Sequence, residues 1–177
     1  NGSENDYTAG YPFVYRTGPL RIAGVNSSCV TRIFSAQGEL GAAQREKLSD
    51  ALQPLDENTI SCLLIHHPPL PGITKRRKAL RDASALEAII RQQQPQLVLY
   101  GHIHCNREDR LGESRIYCTA SASSVEDASY RVFDLSPVES GWHCRMRLVT
   151  LQNQEFTQVQ EESWRIPVFE TPASTGQ

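Results

Sequence analysis

The stretch Leu97-Val98-Leu99-Tyr100-Gly101-His102-Ile103-His104 decides the fold. An apolar run stopped by a glycine reads as a buried strand reaching its carboxyl end. Leu63-Leu64-Ile65-His66-His67-Pro68-Pro69 follows the same pattern. A helical stretch separates the two, and strands joined through a helix lie parallel in one sheet. In open α/β sheets, ligands gather beyond the carboxyl ends of the strands. Four of the five histidines fall at these two ends, which is how a metal site is built.

Outward from there, Leu20 to Asn26 reads as a strand broken by Ser27-Ser28. Glu39 to about Leu55 turns helical, with Leu48, Leu52 and Leu55 on one face. Ile60 to His66 is the second strand, closed by Pro68-Pro69, and residues 70 to 81 form a loop. Asp82 or Ser84 is expected to cap the next helix, Ser84 and Glu87 fitting a capping box. Leu86, Ile89 and Ile90 give that helix its buried face, and Pro95 closes it. Gln96 to Tyr100 is the third strand, completing a β-α-β-α-β order and a parallel, helix-covered sheet. Arg115–Thr119, Tyr130–Leu135 and Trp142–Leu151 follow as strands without helices, hence an antiparallel sheet. Ser136-Pro137 and Ser140-Gly141 mark a turn between the last two. Beyond Glu155 the chain is polar, with Trp164, Ile166, Val168 and Phe169 able to fold back. The expectation is one domain over residues 1–170 and a frayed tail over 171–177.

Composition bounds the function. With 177 residues and 39% hydrophobic side chains, the chain builds one domain with a sizeable core. Its net charge of −2 provides no global field for nucleic acid or an anionic membrane. No apolar run approaches the ~20 residues that span a bilayer. The five cysteines are odd in number and widely spaced, which points to a reducing, cytoplasmic setting. Cys62 and Cys118 read as small buried hydrophobes. Cys105, directly after His104, is a weak candidate ligand because thiolates favour softer sites.

In an extended segment residues i and i+2 point to one side, so His102 and His104 are expected to face a metal, or two adjacent metals. Gly101 lets the backbone turn before them, and His66 arrives from the neighbouring strand end. Neutral imidazole is the commonest protein metal ligand. His143, between Trp142 and Cys144 in a late strand, reads as structural.

These residues resemble a known family. Ile65-His66-His67-Pro68-Pro69-Leu70 and Gly101-His102-Ile103-His104 look like the last two motifs of the calcineurin-like metallophosphoesterases, in particular bacterial phosphohydrolases. Gly38-Glu39-Leu40-Gly41-Ala42-Ala43-Gln44 and Ser121-Ala122-Ser123 resemble flanking stretches of the same family. The resemblance covers roughly residues 11 to 150, the second half of such a domain. It implies an α/β fold, a metallophosphoesterase-type β-sandwich flanked by helices, lacking its N-terminal half. It also implies a centre of two divalent ions, manganese, iron or zinc, that hydrolyses phosphate mono- or diesters. By motif position His66 and His102 would bind one ion and His104 the other, with His67 supporting them from behind. Two ions about 3.5–4 Å apart would bind the phosphate, activate a bridging water and stabilise an in-line displacement.

The family's earlier motifs, D-x-H, G-D-x-x-D and G-N-H-D/E, are absent from this sequence. Gly2-Ser3-Glu4-Asn5-Asp6-Tyr7-Thr8 is the nearest remnant of the third, with Ser3 and Glu4 where asparagine and histidine would stand. Three neutral imidazoles cannot offset two divalent ions without carboxylates. The chain alone is therefore expected to hold at most one ion weakly and to catalyse poorly. It reads as the C-terminal part of a longer enzyme whose absent half carries the general acid. Without that half an apolar sheet edge would be exposed.

Lys75-Arg76-Arg77-Lys78 and Arg81 form a basic loop after the His-His-Pro-Pro turn. It reads either as a solvated loop or as a positive rim for a small phosphorylated substrate. Nucleic acid is weakly supported, because no aromatic residues are interleaved. Two further readings stay open: a catalytically inactive phosphoesterase-like binding module, and a single structural zinc.

Overall fold

A computed structural model describes residues 10–53, 56, 58–124 and 128–167. In chain order its strands are β1 (Phe13–Thr17), β2 (Leu20–Gly24), β3 (Ile60–Leu64), β4 (Leu97–Tyr100), β5 (Arg107–Leu111), β6 (Ser114–Cys118), β7 (Ser129–Val138), β8 (Gly141–Gln152) and β9 (Glu155–Ile166). The helices are α1 (Ala42–Leu52) and α2 (Ala83–Gln93), with a 3-10 turn at Arg76–Lys78. Six strands form one sheet in the order β1-β2-β3-β4-β6-β5, and β7-β8-β9 form a second, antiparallel one. Within the large sheet β2, β3, β4 and β6 run parallel, and β1 and β5 close its edges as antiparallel hairpin strands.

The layering follows from the period of two along each strand. Ala23, Leu63, Val98 and Ile116 point to one face, where Leu48 and Leu52 of α1 and Leu86 and Ile90 of α2 cover them. Cys62, Leu97 and Tyr117 point to the other, against Met146 and Leu148 of β8. The result is three layers: helices, six-stranded sheet, three-stranded sheet. Both central strands are buried on both faces, which is why their sequences are continuously apolar.

The β-α-β-α-β order and the late antiparallel strands are as the sequence indicates, but several details differ. Three strands lie outside the expected set: β1, β5 and β9. The Ser84–Glu87 capping box does not form, because Ser84 lies inside α2, whose cap residue is Asp82. The Asp82 carboxylate is engaged elsewhere. It accepts from the N–H groups of Leu40 and Gly41 at 3.0–3.2 Å and pairs with Arg45, so it ties the start of α2 to the turn that leads into α1. Ser136 and Pro137 belong to β7, and the turn is Glu139-Ser140. The expected tail at 171–177, the Val168 and Phe169 contacts and the Ser3-Glu4 remnant lie outside the described residues. No helix among the described residues is long and apolar enough to cross a membrane.

Candidate metal centre

The sheet register places the histidines. In the β3–β4 pair, Leu64 lies opposite Leu99. The ladder then runs on past both strands: Ile65 N–H donates to the Leu99 carbonyl at 3.1 Å, and Gly101 N–H to the His66 carbonyl at 3.2 Å. His66 and His102 thus leave neighbouring strands at the same level of the carboxyl edge. Their rings lie 4.9 Å apart between centroids, and His66 Nε2 stands 3.1 Å from His102 Nδ1.

The turn at this edge is not made by Gly101, whose backbone is unremarkable and whose added Cβ would meet nothing. The histidines themselves make it. His102 takes φ 69° and His104 φ 52°, the left-handed region that few non-glycine residues occupy. The segment is therefore not extended, and the expected i, i+2 pairing of His102 with His104 does not arise. His104 is exposed and lines a different cavity with Cys105, Asn106 and Ser129, beside β8. Its charge still reaches His66 and His102.

His67 faces inward. Its Nε2 lies 3.3 Å from the Ala36 carbonyl, which can only accept, so that nitrogen carries the proton. Its Nδ1 must then accept from the Ser27 hydroxyl at 2.7 Å. Burial, reinforced by the charges of His102 and His66, pushes its pKa down to about 4, so the ring is neutral at pH 7. With both nitrogens engaged, His67 has none for a metal. It packs against the rings of His66 and His102 at 5.2 and 4.4 Å. Gly38 makes room for it: a Cβ there would stand 2.4 Å from His67 Nδ1 and 2.6 Å from the Ser27 carbonyl. Ser27, Ala36 and Gly38 escape a sequence reading centred on titratable residues. Their only signal is that Ser27 follows β2, whose carboxyl end lies beside that of β3.

Burial and the His104 charge lower the pKa of His66. Burial, then the charges of His66 and Lys78, lower that of His102, opposed by the Lys78 backbone. His102 Nε2 is buried without an acceptor in hydrogen-bond geometry. Two ring nitrogens 3.1 Å apart share either one proton or one cation. Nitrogens about 2.0–2.1 Å from one ion lie about 2.9–3.4 Å apart in octahedral or tetrahedral shells. The pair therefore fits one edge of a coordination shell. Among the described residues, no group of three or more His, Cys, Asp or Glu side chains completes it.

The basic loop borders this edge, Lys78 acting on His102. Its backbone is bound to the loop beneath, through Ala36 N–H to the Arg77 carbonyl at 2.8 Å and Gln37 Nε2 to the Arg76 carbonyl at 2.8 Å. Lys75, Arg76, Arg77 and Lys78 are exposed. Arg81 differs from them, because it pairs with Glu39 at 2.9 Å. Cys62 and Cys118 are buried, Cys105 is exposed, and all five cysteines are free thiols.

No protein-family profile matches the chain, and no curated protein does. Among solved structures the chain is similar to vacuolar protein sorting 29 from Cryptosporidium parvum, at 14% identity over 49% of this chain and 46% of that one, with a TM-score of 0.39. It is similar to the same protein from Entamoeba histolytica, complexed with zinc, at 14% identity over 56% and 52%, with a TM-score of 0.40. It is also similar to GAP50, the anchor in the inner membrane complex of Plasmodium, at 9% identity over 86% and 51%, with a TM-score of 0.48. Each match spans about half of the other chain. Likenesses this faint carry no argument about what this chain binds or does.

Proposed function

We propose that this chain carries the histidine-bearing part of a metallophosphoesterase-like centre for metal-dependent hydrolysis of a phosphate mono- or diester. The observation that carries the reading is the His66 Nε2–His102 Nδ1 pair, 3.1 Å apart at the carboxyl edge of a parallel sheet. His66 and His102 would hold a first-row divalent ion. Such an ion supplies Lewis acidity and an acidified water. The chain's own residues do the rest. His67, fixed by Ser27 and the Ala36 carbonyl, sets the ring planes of the two ligands, as the outer partners of metal sites do. Lys75, Arg76, Arg77 and Lys78 draw a phosphorylated substrate to the edge and help neutralise its charge. His104 stands as a candidate ligand for a second ion, away from the pair. The carboxylates and the general acid of a complete centre would come from polypeptide beyond these residues.

A second reading, binding without turnover, is favoured by one observation: no carboxylate among the described residues joins the histidines. Hydrolysis of bis(p-nitrophenyl) phosphate with added manganese or zinc separates the two. The expected result is slow, chelator-sensitive turnover at least about tenfold above that of a His66→Ala/His102→Ala double variant. Rates equal in the variant, or unchanged by chelator, would overturn the hydrolase reading and leave the binding module.

A further inference from the structure

The opposite end of the large sheet carries an arrangement that the histidine edge does not explain. Arg16 of β1 and Arg21 of β2 are direct cross-strand partners in an antiparallel pair. Like charges in that position repel, and strands usually avoid them. Arg21 is only 9% exposed. Its Nη1 donates to the Gln53 carbonyl at 2.6 Å, but its Nε is shut away from water without an acceptor. No carboxylate among the described residues forms an ion pair with either arginine. Burial and then the Arg16 charge lower the Arg21 pKa.

The two arginines border a cavity of about 320 Å³ that also includes Asp56, Asn58, Thr59 and Trp142. The Trp142 indole N–H is a second buried donor without an acceptor. Asp56 borders the same cavity but forms no ion pair with either arginine. Its Oδ1 accepts from Asn58 N–H at 3.0 Å and from the Thr59 hydroxyl at 2.8 Å, which folds the turn before β3. The cavity is thus bordered by two guanidinium groups and an orphaned indole N–H against the single carboxylate of Asp56 among the described residues, an excess of donors that an oxyanion would satisfy. Guanidinium presents a planar fork of donors that matches an oxyanion, and charge-assisted bonds of this type are the strong ones.

We propose that this cavity is a binding site for a phosphate-class oxyanion, held by Arg16, Arg21 and the Trp142 indole N–H. It lies at the amino ends of β2 and β3, across the sheet from His66 and His102. The anion bridges Arg16 and Arg21 and so removes the repulsion built into the β1–β2 hairpin. It is either free phosphate or the terminal group of a small organic phosphate.

Calorimetric titration with inorganic phosphate, at ionic strength held constant with chloride, tests this. The expected result is saturable binding of one phosphate per chain. Arg21→Met should abolish it. Because Arg21 also holds the end of α1, the exposed Arg16→Gln variant provides the control for folding. It should weaken binding by about tenfold, the loss of one charge-assisted contact, without lowering the melting temperature of the free protein. His66→Ala should bind phosphate as the parent does. Phenylphosphonate, which cannot be hydrolysed, distinguishes the sources: tighter binding than phosphate assigns the cavity to an organic phosphate, equal binding to the free ion. Absence of saturable binding, parent-like binding by Arg16→Gln, or loss of binding in His66→Ala would overturn the assignment.

Discussion

The two left-handed histidines decide the chemistry of the edge. His102, at φ 69°, sets its Nδ1 3.1 Å from His66 Nε2, and His104, at φ 52°, lines a neighbouring cavity. Pattern reading finds all four histidines, but the i, i+2 rule behind the pairing of His102 with His104 holds only for extended backbone, which this segment is not. Nothing in Gly101-His102-Ile103-His104 announces positive φ at the histidines rather than at the glycine. The residue behind them is the more predictable one. Gly38 lies against His67 and the Ser27 carbonyl, neither of which can yield, since one is pinned at both nitrogens and the other is main chain. Gly38→Ala should therefore destabilise the protein by about 1–3 kcal/mol, as overpacking does, and shift the His67 ring resonances. Thermal melts with proton–nitrogen correlation spectra of the imidazoles would show it. An unchanged melt with unmoved resonances would mean that the packing behind the ligands is loose.

At the scale of elements, the strands that the sequence shows are those buried on both faces, and the strands that it hides are those with little buried surface. All five residues of β1 are exposed, β5 buries only Leu111, and β9 buries only Ile166. An element that places few side chains in the core has no reason to alternate in hydrophobicity, so period-two reading cannot find it. What holds β9 is polar. Glu162 accepts from Tyr117 at 3.2 Å and from Arg110 at 3.2 Å, and it pairs with Arg115, which lies 3.9 Å over the Trp164 ring. Burial alone would raise the Glu162 pKa, but hydrogen bonding and charge from Arg115, with help from Tyr117 and Arg110, bring it below the ordinary carboxylate range. Its folded pKa lies below its unfolded one, so the unfolded chain binds the proton first as the solution is acidified. The resulting stabilisation is complete above the ordinary glutamate value and is lost as pH falls through the lower, folded value. Melting temperature should consequently fall as pH drops below the ordinary glutamate range, and Glu162→Gln should start lower at neutral pH and fall less steeply on acidification. Parallel curves for the two proteins would show that β9 is held by something else.

For the whole molecule, the three layers explain why chemistry collects at one end of the sheet. Helices cover one face and the small sheet much of the other, leaving the carboxyl edge of β3 and β4 as the open boundary where backbone turns and polar rings are allowed. That boundary, its histidines and the basic loop beside it are legible from apolar runs and charge alone. The depth of His67, the turn at His102 and the Arg16–Arg21 cavity are not, because each depends on which strands become neighbours. Phe13 and Tyr15 of β1 are 44% and 58% exposed at one edge of the large sheet.

The central claim is that His66 and His102 hold one divalent ion between them. Anomalous diffraction from crystals soaked in zinc, collected on both sides of the zinc absorption edge, tests it most directly. The account predicts an anomalous peak about 2.0–2.1 Å from both His66 Nε2 and His102 Nδ1, with His67 outside the coordination shell. A peak at His104 and Cys105 alone, or none within reach of the pair while the two rings keep their places, would contradict it.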